Sequence, residues 1–327
     1  MNRPPIPAMQ IDGDAGAGDL KPSAVRQYIN LLKLIQDNDI ELRENAGHAN
    51  SQSFPDCSEE GRSDIRRVAA NVDRYQMLPG TNVSRAIART GFDWICVDTE
   101  HGNISDDSMH ECVAAIAACG VSPIVRVAAN EPWMVKRALD AGAHGIIVPL
   151  LKTAEDAKQI VSSAKFPPDG TRGFGSPFSM EKFHTHEKGA IRQTDYYQQA
   201  NQALVTVIQI ETKEALKNVD EIANVPGVDV LLIGPFDLGN NIGYPIIDGM
   251  HDELKNAISK IHESAKKAGK RTGIYCTSGD QAREYADRGF HMISVVTDAA
   301  ALPQACDAAL KAALGSEEFR RRNMSYA

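Results

Sequence analysis

The sequence has no apolar run that approaches the roughly 20 residues needed by a membrane-spanning helix. Its first residues, MNRPPIPAMQIDGDAG, also lack the apolar segment of a secretory signal peptide. No Lys- or Arg-rich run occurs, and the net charge is -8 at pH 7, so the chain presents no basic field for a nucleic acid. We therefore expect a soluble, cytoplasmic protein that binds neither membranes nor nucleic acid.

The cysteines do not have the spacing of a disulfide framework or of a zinc site. No two of them form a C-x-x-C pair, and several stand inside apolar segments, which is typical of buried thiols. We interpret them as reduced residues of the core rather than as metal ligands. They are Cys57, Cys96, Cys112, Cys119, Cys276 and Cys306.

The first 73 residues differ in pattern from the remainder of the chain. Residues 1–20 are rich in Pro, Gly and Asp without periodicity, which predicts a disordered leader. Apolar residues recur at helical spacing over residues 23–44, and residues 46–73 are polar and pattern-poor, as linkers are. We therefore expect an N-terminal extension, partly disordered with one helix, over residues 1–73, and a catalytic domain over residues 74–327.

Beyond this extension, apolar runs of strand length alternate with helical stretches that are bounded by turn residues. Continuous apolar strands joined by helices predict a parallel sheet covered by helices, and eight such units close into a (β/α)8 TIM barrel of the α/β class. Seven runs are clear: DWICVD (93–98), PIVRVA (123–128), GIIVPL (145–150), ALVTVIQI (203–210), VDVLLI (228–233), RTGIYC (271–276) and HMISVV (291–296).

The remaining strand would come first in the chain, in a weak segment around Tyr75 to Leu78. Residues 62–77, RSDIRRVAANVDRYQM, are polar and helix-like, which speaks against an ordinary first strand and against closure of the barrel. No G-x-G-x-x-G motif follows any run, so the alternative of a dinucleotide-binding open sheet lacks its usual support.

Residues 165–202 form a long connection between the fourth and fifth predicted strands. Connections of this length in compact domains are usually functional or disordered. We expect it to leave the C-terminal end of a strand, and therefore to reach the active-site face and help to form the pocket there. Arg172 within it is a candidate for binding a substrate anion or for a structural salt bridge.

Polar side chains stand at the ends of four predicted strands, where a barrel places its active site. Asp98 and His101 follow DWICV, Arg126 follows PIV, Glu211 follows VIQI, and Asp237 follows VLLIGPF. Each acid taken alone could instead cap the next helix. Together they form a more specific set, because strand ends of a barrel converge on one pocket.

Glu211 and Asp237 end adjacent strands, so their carboxylates can converge on one hard divalent cation, with positions left for water and substrate. Two carboxylates plus water suit Mg, Mn or Co. A 2-oxo acid can supply its keto and carboxylate oxygens, and the cation then acts as a Lewis acid that stabilises the enolate. Arg126 supplies a permanently charged donor for the enolate oxygen or the substrate carboxylate.

His101 lies three residues after Asp98, whose carboxylate can orient it as a general base. Glu100 is a candidate either for a water-mediated contact with the metal or for a cap of the next helix. Gly234 and Pro235 precede Phe236, and a glycine there lets backbone N–H groups approach a substrate carboxylate. The alternative for this dipeptide is an ordinary turn after the strand.

Taken in order, these segments resemble the HpcH/HpaI aldolase family, whose members cleave or form bonds to pyruvate. The resemblance covers roughly residues 77–315. The segments that carry it are GFDWICVDTEH (91–101), VRVAANEP (125–132), ALDAGAHGIIVPLLKTAEDA (138–157), FPPDGTRGFGS (166–176), VIQIETKEALKNVDEI (207–222) and IGPFDLGNNIG (233–243).

The resemblance implies roles for individual residues of this chain. Glu211 and Asp237 fall on the metal ligands, Arg126 falls on the substrate arginine, and Gln209 falls on an active-site glutamine. His101 and Asp98 fall on the catalytic dyad. Phe236 replaces the alanine of many bacterial members, and its bulk is expected to narrow the aldehyde side of the pocket. The resemblance also implies a homohexamer built from trimers, in which the last helix, over residues 299–314, packs on a neighbouring subunit.

The leading hypothesis is a divalent-metal-dependent carbon–carbon lyase that cleaves or forms 4-hydroxy-2-oxo acids from a 2-oxo acid and an aldehyde. A decarboxylase of oxaloacetate would use the same enolate, although the branch of the family that specialises in this reaction carries a histidine where this chain has Leu150. A Schiff-base aldolase would need a lysine in a strand, and the seven clear runs contain none. A barrel that has become a non-catalytic scaffold is the third alternative.

Overall fold

The computed structural model describes residues 71–179 and 193–315. The predicted leader, the helix predicted over residues 23–44 and most of the predicted linker lie outside the described residues. Within the described residues, no helix combines the length and the apolar character needed to cross a lipid bilayer.

Eight parallel strands form a closed barrel in sequence order, and the last strand pairs with the first. The predicted (β/α)8 barrel is therefore confirmed. The strands are β1 (Asn71–Gln76), β2 (Trp94–Asp98), β3 (Ser122–Arg126), β4 (Gly145–Val148), β5 (Val205–Ile210), β6 (Val230–Ile233), β7 (Arg271–Tyr275) and β8 (Met292–Thr297).

Helices cover the outside of the barrel. They are α1 (Thr81–Ala88), α2 (Asp106–Ala118), α3 (Pro132–Asp140), α4 (Ala154–Ala164), α5 (Gln193–Ala203), α6 (Lys213–Lys217), α7 (Val219–Ala223), α8 (Pro235–Ile242), α9 (Asp252–Lys267), α10 (Gly279–Asp287) and α11 (Asp298–Leu314). The helix predicted near the C-terminus is thus present as α11, and most of its surface is exposed.

The first strand corrects the helix-like interpretation of residues 62–77, because residues 71–76 form β1. Its polar composition resembles that of an exposed helix, which is why the sequence predicted no ordinary strand here. Asp73 pairs in register with Trp94 of β2, and Tyr75 pairs with Cys96. Alternation along the strand turns Asp73 and Tyr75 into the barrel, where both are almost fully buried. The barrel closes, and it closes on a strand that begins before the predicted domain boundary at residue 74.

Two apolar clusters stabilise the barrel. The larger one lies between the strands and the surrounding helices. The smaller one fills the barrel interior and consists of Tyr75, Trp94, Cys96, Ile124, Ile147, Val205, Val207, Val230, Leu232 and Met292. The cysteines Cys96, Cys112 and Cys276 are buried free thiols, as predicted, whereas Cys306 is exposed on α11.

Polar side chains other than the predicted site residues begin several of the helices. Ser105 accepts a hydrogen bond from Ser108 N at the start of α2, and Thr212 accepts one from Ala215 N at the start of α6. Neither Asp98, Glu100 nor Glu211 serves as an N-cap of the helix that follows it. The capping alternative is therefore wrong for these three acids.

The long connection starts at the end of helix α4, not at a strand end as predicted. Arg172 within it is buried, lies 2.8 Å from the carboxylate of Asp140 and stacks 4.5 Å from the ring of Phe166. Ser176 donates a further hydrogen bond to the backbone oxygen of Asp140. Residues 165–179 therefore pack on the outer helices and contribute no side chain to the cavity at the C-terminal ends of the strands. Arg172 forms a structural salt bridge with Asp140.

The start of α11 is tied to the end of β1. The carboxylate of Asp298 accepts hydrogen bonds from the backbone N–H groups of Met77, at 2.8 Å, and Leu78, at 3.1 Å. The same carboxylate accepts one from Ala299 N, at 2.8 Å. Asp298 is buried, so this arrangement fixes the turn that follows the first strand at the seam of the barrel.

Candidate active site

A cavity of about 190 Å³ opens at the C-terminal ends of the strands. Most of the residues predicted for the site line it. The lining consists of Tyr75, Met77, Asp98, His101, Arg126, Gln209, Leu232, Ile233, Gly234, Pro235, Phe236, Asp237, Tyr275 and Thr297.

Asp98 and Arg126 form a bidentate ion pair on one side of this cavity. They occupy register-paired positions at the ends of β2 and β3. Arg126 Nε donates to Asp98 Oδ1 at 2.9 Å, and Nη2 donates to Oδ2 at 2.6 Å. Arg126 Nη1 lies 3.2 Å from Glu100 Oε2, and the guanidinium stacks 4.8 Å from the ring centre of Tyr75. The guanidinium is thus held in one orientation.

His101 is placed differently from the predicted arrangement with Asp98. Among the hydrogen bonds of the described residues, Asp98 Oδ1 accepts from the backbone N–H of His101, at 3.3 Å, and not from its ring. The ring is 58% exposed, and its Nε2 lies 3.8 Å from Glu100 Oε2. The ring is not bound to Asp98 because the strand register places Arg126 beside it, and both carboxylate oxygens accept hydrogen bonds from that guanidinium. Glu100, rather than Asp98, is the carboxylate beside the imidazole.

Glu100 is a partly buried acid between His101 and Arg126. Burial raises the pKa of its carboxyl group to about 6; the charge of Arg126 opposes this rise, while Asp98 and Asp237 add to it. A carboxyl group with such a pKa can exchange protons near neutral pH. Glu100 is therefore suited to proton transfer together with the imidazole beside it.

Glu211, at the end of β5, is almost fully buried. Its Oε1 accepts a hydrogen bond from Leu150 N at 2.7 Å, and its Oε2 accepts one from Gln209 Nε2. Leu150 has a φ of 59°, in the left-handed region that residues other than glycine rarely adopt. Burial raises the pKa of Glu211, the bonds from Gln209 and Leu150 lower it, and Glu100 and Asp237 raise it further.

Gly234 connects Glu211 with the helix that carries Asp237. A Cβ atom at Gly234 would lie 2.8 Å from Glu211 Oε2 and 3.2 Å from Gln209 Nε2. Glycine is therefore required here by close approach, and Pro235 then begins α8, whose first turn contains Asp237. This geometry favours a ligand-binding role for Gly234 and Pro235 over the alternative of an ordinary turn after the strand.

These donors fit a hard divalent cation that keeps part of its coordination open. The negative charge of Asp237 raises the pKa of both Glu100 and Glu211, and Glu100 also raises that of Glu211, so the three carboxylates lie close to one another. Within residues 71–179 and 193–315, no group of three His, Cys, Asp or Glu side chains has a metal-binding arrangement. A cation held by Glu211 and Asp237 would therefore take its other ligands from water and substrate, as Mg²⁺ commonly does.

The profile of the HpcH/HpaI aldolase/citrate lyase family matches residues 78–305. The chain belongs to this family. The resemblance seen in the sequence is confirmed, and the chain is a metal-dependent aldolase of the HpcH/HpaI family rather than a Schiff-base enzyme or a scaffold.

Three bacterial relatives with assigned activities are similar over most of their length. A 2-dehydro-3,6-dideoxy-6-sulfogluconate aldolase of Pseudomonas putida is 36% identical over 77% of this chain and 96% of its own. A hydroxypyruvate/pyruvate aldolase of Rhizorhabdus wittichii is 36% identical over 71% and 89%. A 4-hydroxy-2-oxo-heptane-1,7-dioate aldolase of Klebsiella pneumoniae is 32% identical over 79% and 92%.

Solved structures agree with this assignment. A family member from Burkholderia cenocepacia superposes with a TM-score of 0.67 and 32% sequence identity, over 77% of this chain and 96% of its own. Macrophomate synthase superposes with a TM-score of 0.70 over 91% of each chain, but its identity of 22% shows a shared fold alone.

The HpcH/HpaI site of this chain also contains residues that sequence reasoning missed. Tyr75 and Met77 were missed because β1 was not recognised. Tyr275 and Thr297 stand at the ends of β7 and β8. They could have been predicted from the sequence, because a barrel places its active site at the C-terminal ends of its strands. Neither side chain is charged, so neither belongs to the pattern of acids, arginine and histidine that indicated the site in the sequence.

Proposed function

We propose that this aldolase cleaves and forms 4-hydroxy-2-oxo acids through the enolate of pyruvate or a closely related 2-oxo acid. The observation that carries the proposal is the convergence of Asp237, Arg126 and His101 on one cavity at the strand ends, with Glu211 directly behind the lining residues Gln209 and Gly234. The names of the three relatives support the substrate class, since each is an aldolase of a 2-oxo acid or of a sugar acid with a 2-oxo group.

Glu211 and Asp237 would hold the divalent cation, which we propose to be Mg, Mn or Co. When bound, the cation supplies Lewis-acid polarisation of the substrate 2-oxo group. The two hydrogen bonds that Glu211 accepts from Leu150 and Gln209 fix the orientation of its carboxylate before any cation arrives.

Arg126 binds the substrate carboxylate or the developing enolate oxygen. Its guanidinium is oriented by Asp98 and stacked on Tyr75, so it loses little conformational entropy when substrate binds. The backbone N–H groups after Gly234 lie at the start of α8 and can bind the same carboxylate. Gln209 Nε2 donates a hydrogen bond to Oε2 of Glu211 and so helps to orient that carboxylate.

His101 moves the proton. Its ring is exposed to the cavity mouth and lies beside Glu100, whose pKa of about 6 suits proton exchange near neutral pH. In the cleavage direction, the imidazole accepts the proton of the substrate 4-hydroxyl group while the bond between C3 and C4 breaks. The electron pair of that bond remains with C3 as the enolate, and the aldehyde leaves.

We also propose a homo-oligomer, a hexamer built from trimers, in which α11 packs on a neighbouring subunit. The support is the composition of this helix, DAAALPQACDAALKAAL, on which Leu302 and Leu310 are 57% and 41% exposed. An apolar helix face of this kind is usually covered. The cytoplasmic location expected from the sequence stays a prediction.

The proposal is tested by exchange of the pyruvate methyl protons with deuterium in the presence of Mn²⁺ or Mg²⁺. We expect exchange by the wild type, and a loss of about 100-fold or more in Glu211→Gln and Asp237→Asn, because several kcal/mol of Lewis-acid stabilisation disappear. The matched control is Glu214→Gln, three residues further along on exposed α6. Exchange that persists after exhaustive treatment with EDTA would exclude the metal-dependent mechanism.

A further inference from the structure

Three aromatic rings form a continuous wall on one side of the cavity, which we call the aromatic wall: Tyr75, Tyr275 and Phe236. The ring centres of Tyr75 and Tyr275 are 5.6 Å apart, with the rings nearly perpendicular. Those of Tyr275 and Phe236 are 6.3 Å apart. Edge-to-face contacts at these distances are favourable and keep the rings in place.

The aromatic wall runs from the bottom of the cavity to its rim. Tyr75 is 2% exposed and stacks on the guanidinium of Arg126, which marks the end where the 2-oxo acid binds. Tyr275 is half-buried, and Phe236, directly before Asp237, is 43% exposed. A second substrate that enters from the rim therefore meets Phe236 and Tyr275 before it reaches the enolate carbon.

The charges around the cavity disfavour a second substrate that is itself an anion. In the part of the chain that the structure describes, Arg126 is the only Lys or Arg side chain of the lining, and Asp98 and Glu100 already pair with it. The lining also contains two carboxylates, Asp98 and Asp237, and two further acids, Glu100 and Glu211, contact lining residues from behind. An aldehyde with its own carboxylate would therefore lack a partner and be repelled.

We propose that the acceptor aldehyde is uncharged and carries an aromatic ring, which packs against Phe236 and Tyr275. This inference rests on the proposed function and assigns the second substrate of that same site. The electron pair of the enolate C2=C3 bond forms a bond from C3 to the carbonyl carbon of the aldehyde and restores the 2-oxo group, while one electron pair of the aldehyde C=O bond moves to its oxygen, which takes the proton held by the imidazolium of His101. The product is a 4-aryl-4-hydroxy-2-oxobutanoate, and no redox partner is needed.

The first test compares aldehydes with pyruvate and Mn²⁺ as constant partners. Benzaldehyde, butanal and succinic semialdehyde represent an aromatic, a neutral aliphatic and an anionic acceptor. We expect kcat/KM to fall in that order, with benzaldehyde preferred over succinic semialdehyde by about tenfold or more. Equal values for all three, or a preference for succinic semialdehyde, would overturn the proposal.

The second test removes the rings while keeping apolar volume. In Tyr275→Leu and Phe236→Leu, the ratio of kcat/KM for benzaldehyde to that for butanal should fall about tenfold, mainly through the KM of benzaldehyde. The ratio within one variant is compared, so a general loss of activity does not affect it. Trp133→Leu, on α3 and 60% exposed, is the control in which the ratio should not change. A constant ratio in both wall variants contradicts the proposal.

Deuterium exchange into pyruvate, measured without aldehyde on the same samples, separates the two levels of failure. If wild-type protein exchanges the methyl protons but shows no preference for benzaldehyde, the assignment of the acceptor is wrong and the proposed function stands. If folded wild-type protein with Mn²⁺ shows no exchange, the proposed function fails and the acceptor assignment fails with it.

Discussion

Both carboxylate oxygens of Asp98 are bound by the guanidinium of Arg126, at 2.9 Å and 2.6 Å, in a position where Asp98 is fully buried. Under the proposed function, Asp98 would act on substrate through Arg126, and its hydrogen bond to His101 is to the backbone N–H rather than to the ring. The pair fixes one end of the cavity, which Arg126 and Asp98 both line.

Asp98→Asn should weaken pyruvate binding and destabilise the fold, because an amide accepts only one of the two hydrogen bonds and leaves one buried N–H group of the guanidinium without its acceptor. Breaking a buried ion pair costs about 3–5 kcal/mol. We expect a higher KM for pyruvate, measured by the exchange assay, together with a lower Tm. Asp106→Asn, which breaks the exposed pair with Arg137, is the control. A variant with wild-type KM would show that Asp98 does not position Arg126.

Gly234→Ala should reduce the affinity for a divalent cation, because the new Cβ would lie 2.8 Å from Glu211 Oε2 and displace that carboxylate. Disturbing the surroundings of a metal ligand typically lowers affinity about 10–100-fold. Calorimetric titration with Mn²⁺ measures the change. Gly279→Ala is a matched control, since nothing lies within 4 Å of a Cβ there. Equal affinities in both variants would refute the role assigned to Gly234.

Glu100→Gln should gain stability relative to wild type as pH rises. In the folded state the pKa of Glu100 is about 6, above its ordinary value of 4.5, so the folded protein holds this proton more tightly than the unfolded chain. Wild-type stability therefore falls between about pH 4.5 and pH 6 through this group. Urea unfolding in EDTA at pH 4.5 and pH 7 tests this, with exposed Glu111→Gln as the control.

Should the difference in unfolding free energy between Glu100→Gln and wild type be the same at both pH values, Glu100 has no raised pKa. The comparison uses a difference between two proteins because Glu211 titrates with a raised pKa as well. The part of its contribution that burial causes is common to both proteins and cancels in the difference, whereas the part caused by the charge of Glu100 is lost in the variant and changes the difference in the same direction.

Asp73→Asn should stabilise the protein at neutral and higher pH. Burial inside the barrel raises the pKa of Asp73 well above its ordinary value, and the nearby Ser294 hydroxyl and the charge of Arg126 oppose this only in part. Stability is thus lost as pH rises from about 4, and an uncharged amide avoids the loss. We expect a higher Tm at pH 8, by roughly 2–4 °C for each kcal/mol gained, and a smaller gain at pH 4.5. A gain that does not grow with pH would contradict it.

The barrel was largely predictable, because seven strands are buried on both faces and therefore appear as continuous apolar runs. β1 escaped recognition for a physical reason. One of its interior positions holds Asp73, and the neighbouring Arg74 and Gln76 add further polar groups. Gln76 is nevertheless buried and accepts a hydrogen bond from Ser84. Polar residues that are satisfied by tertiary contacts look like surface residues in a sequence.

The positions of the site residues could be predicted from the sequence, but their hydrogen-bond partners could not. Parallel strands bring their C-terminal ends together, so Asp98, Arg126 and Asp237 were expected in one cavity and are found there. The partner of Asp98 depends on strand register, which no local spacing encodes. The short spacing between Asp98 and His101 indicated a dyad, whereas the strand register places Asp98 beside Arg126, which donates both hydrogen bonds to its carboxylate.

The hydrogen bonds from Met77 and Leu78 to Asp298 join residues about 220 positions apart in the chain. Strand β1 also has β8 as one of its two neighbours. During synthesis on the ribosome, β1 therefore waits with one edge unpaired until almost the whole barrel has been made. The side of the cavity formed by Tyr75 and Thr297 therefore cannot form before β8 has been synthesised.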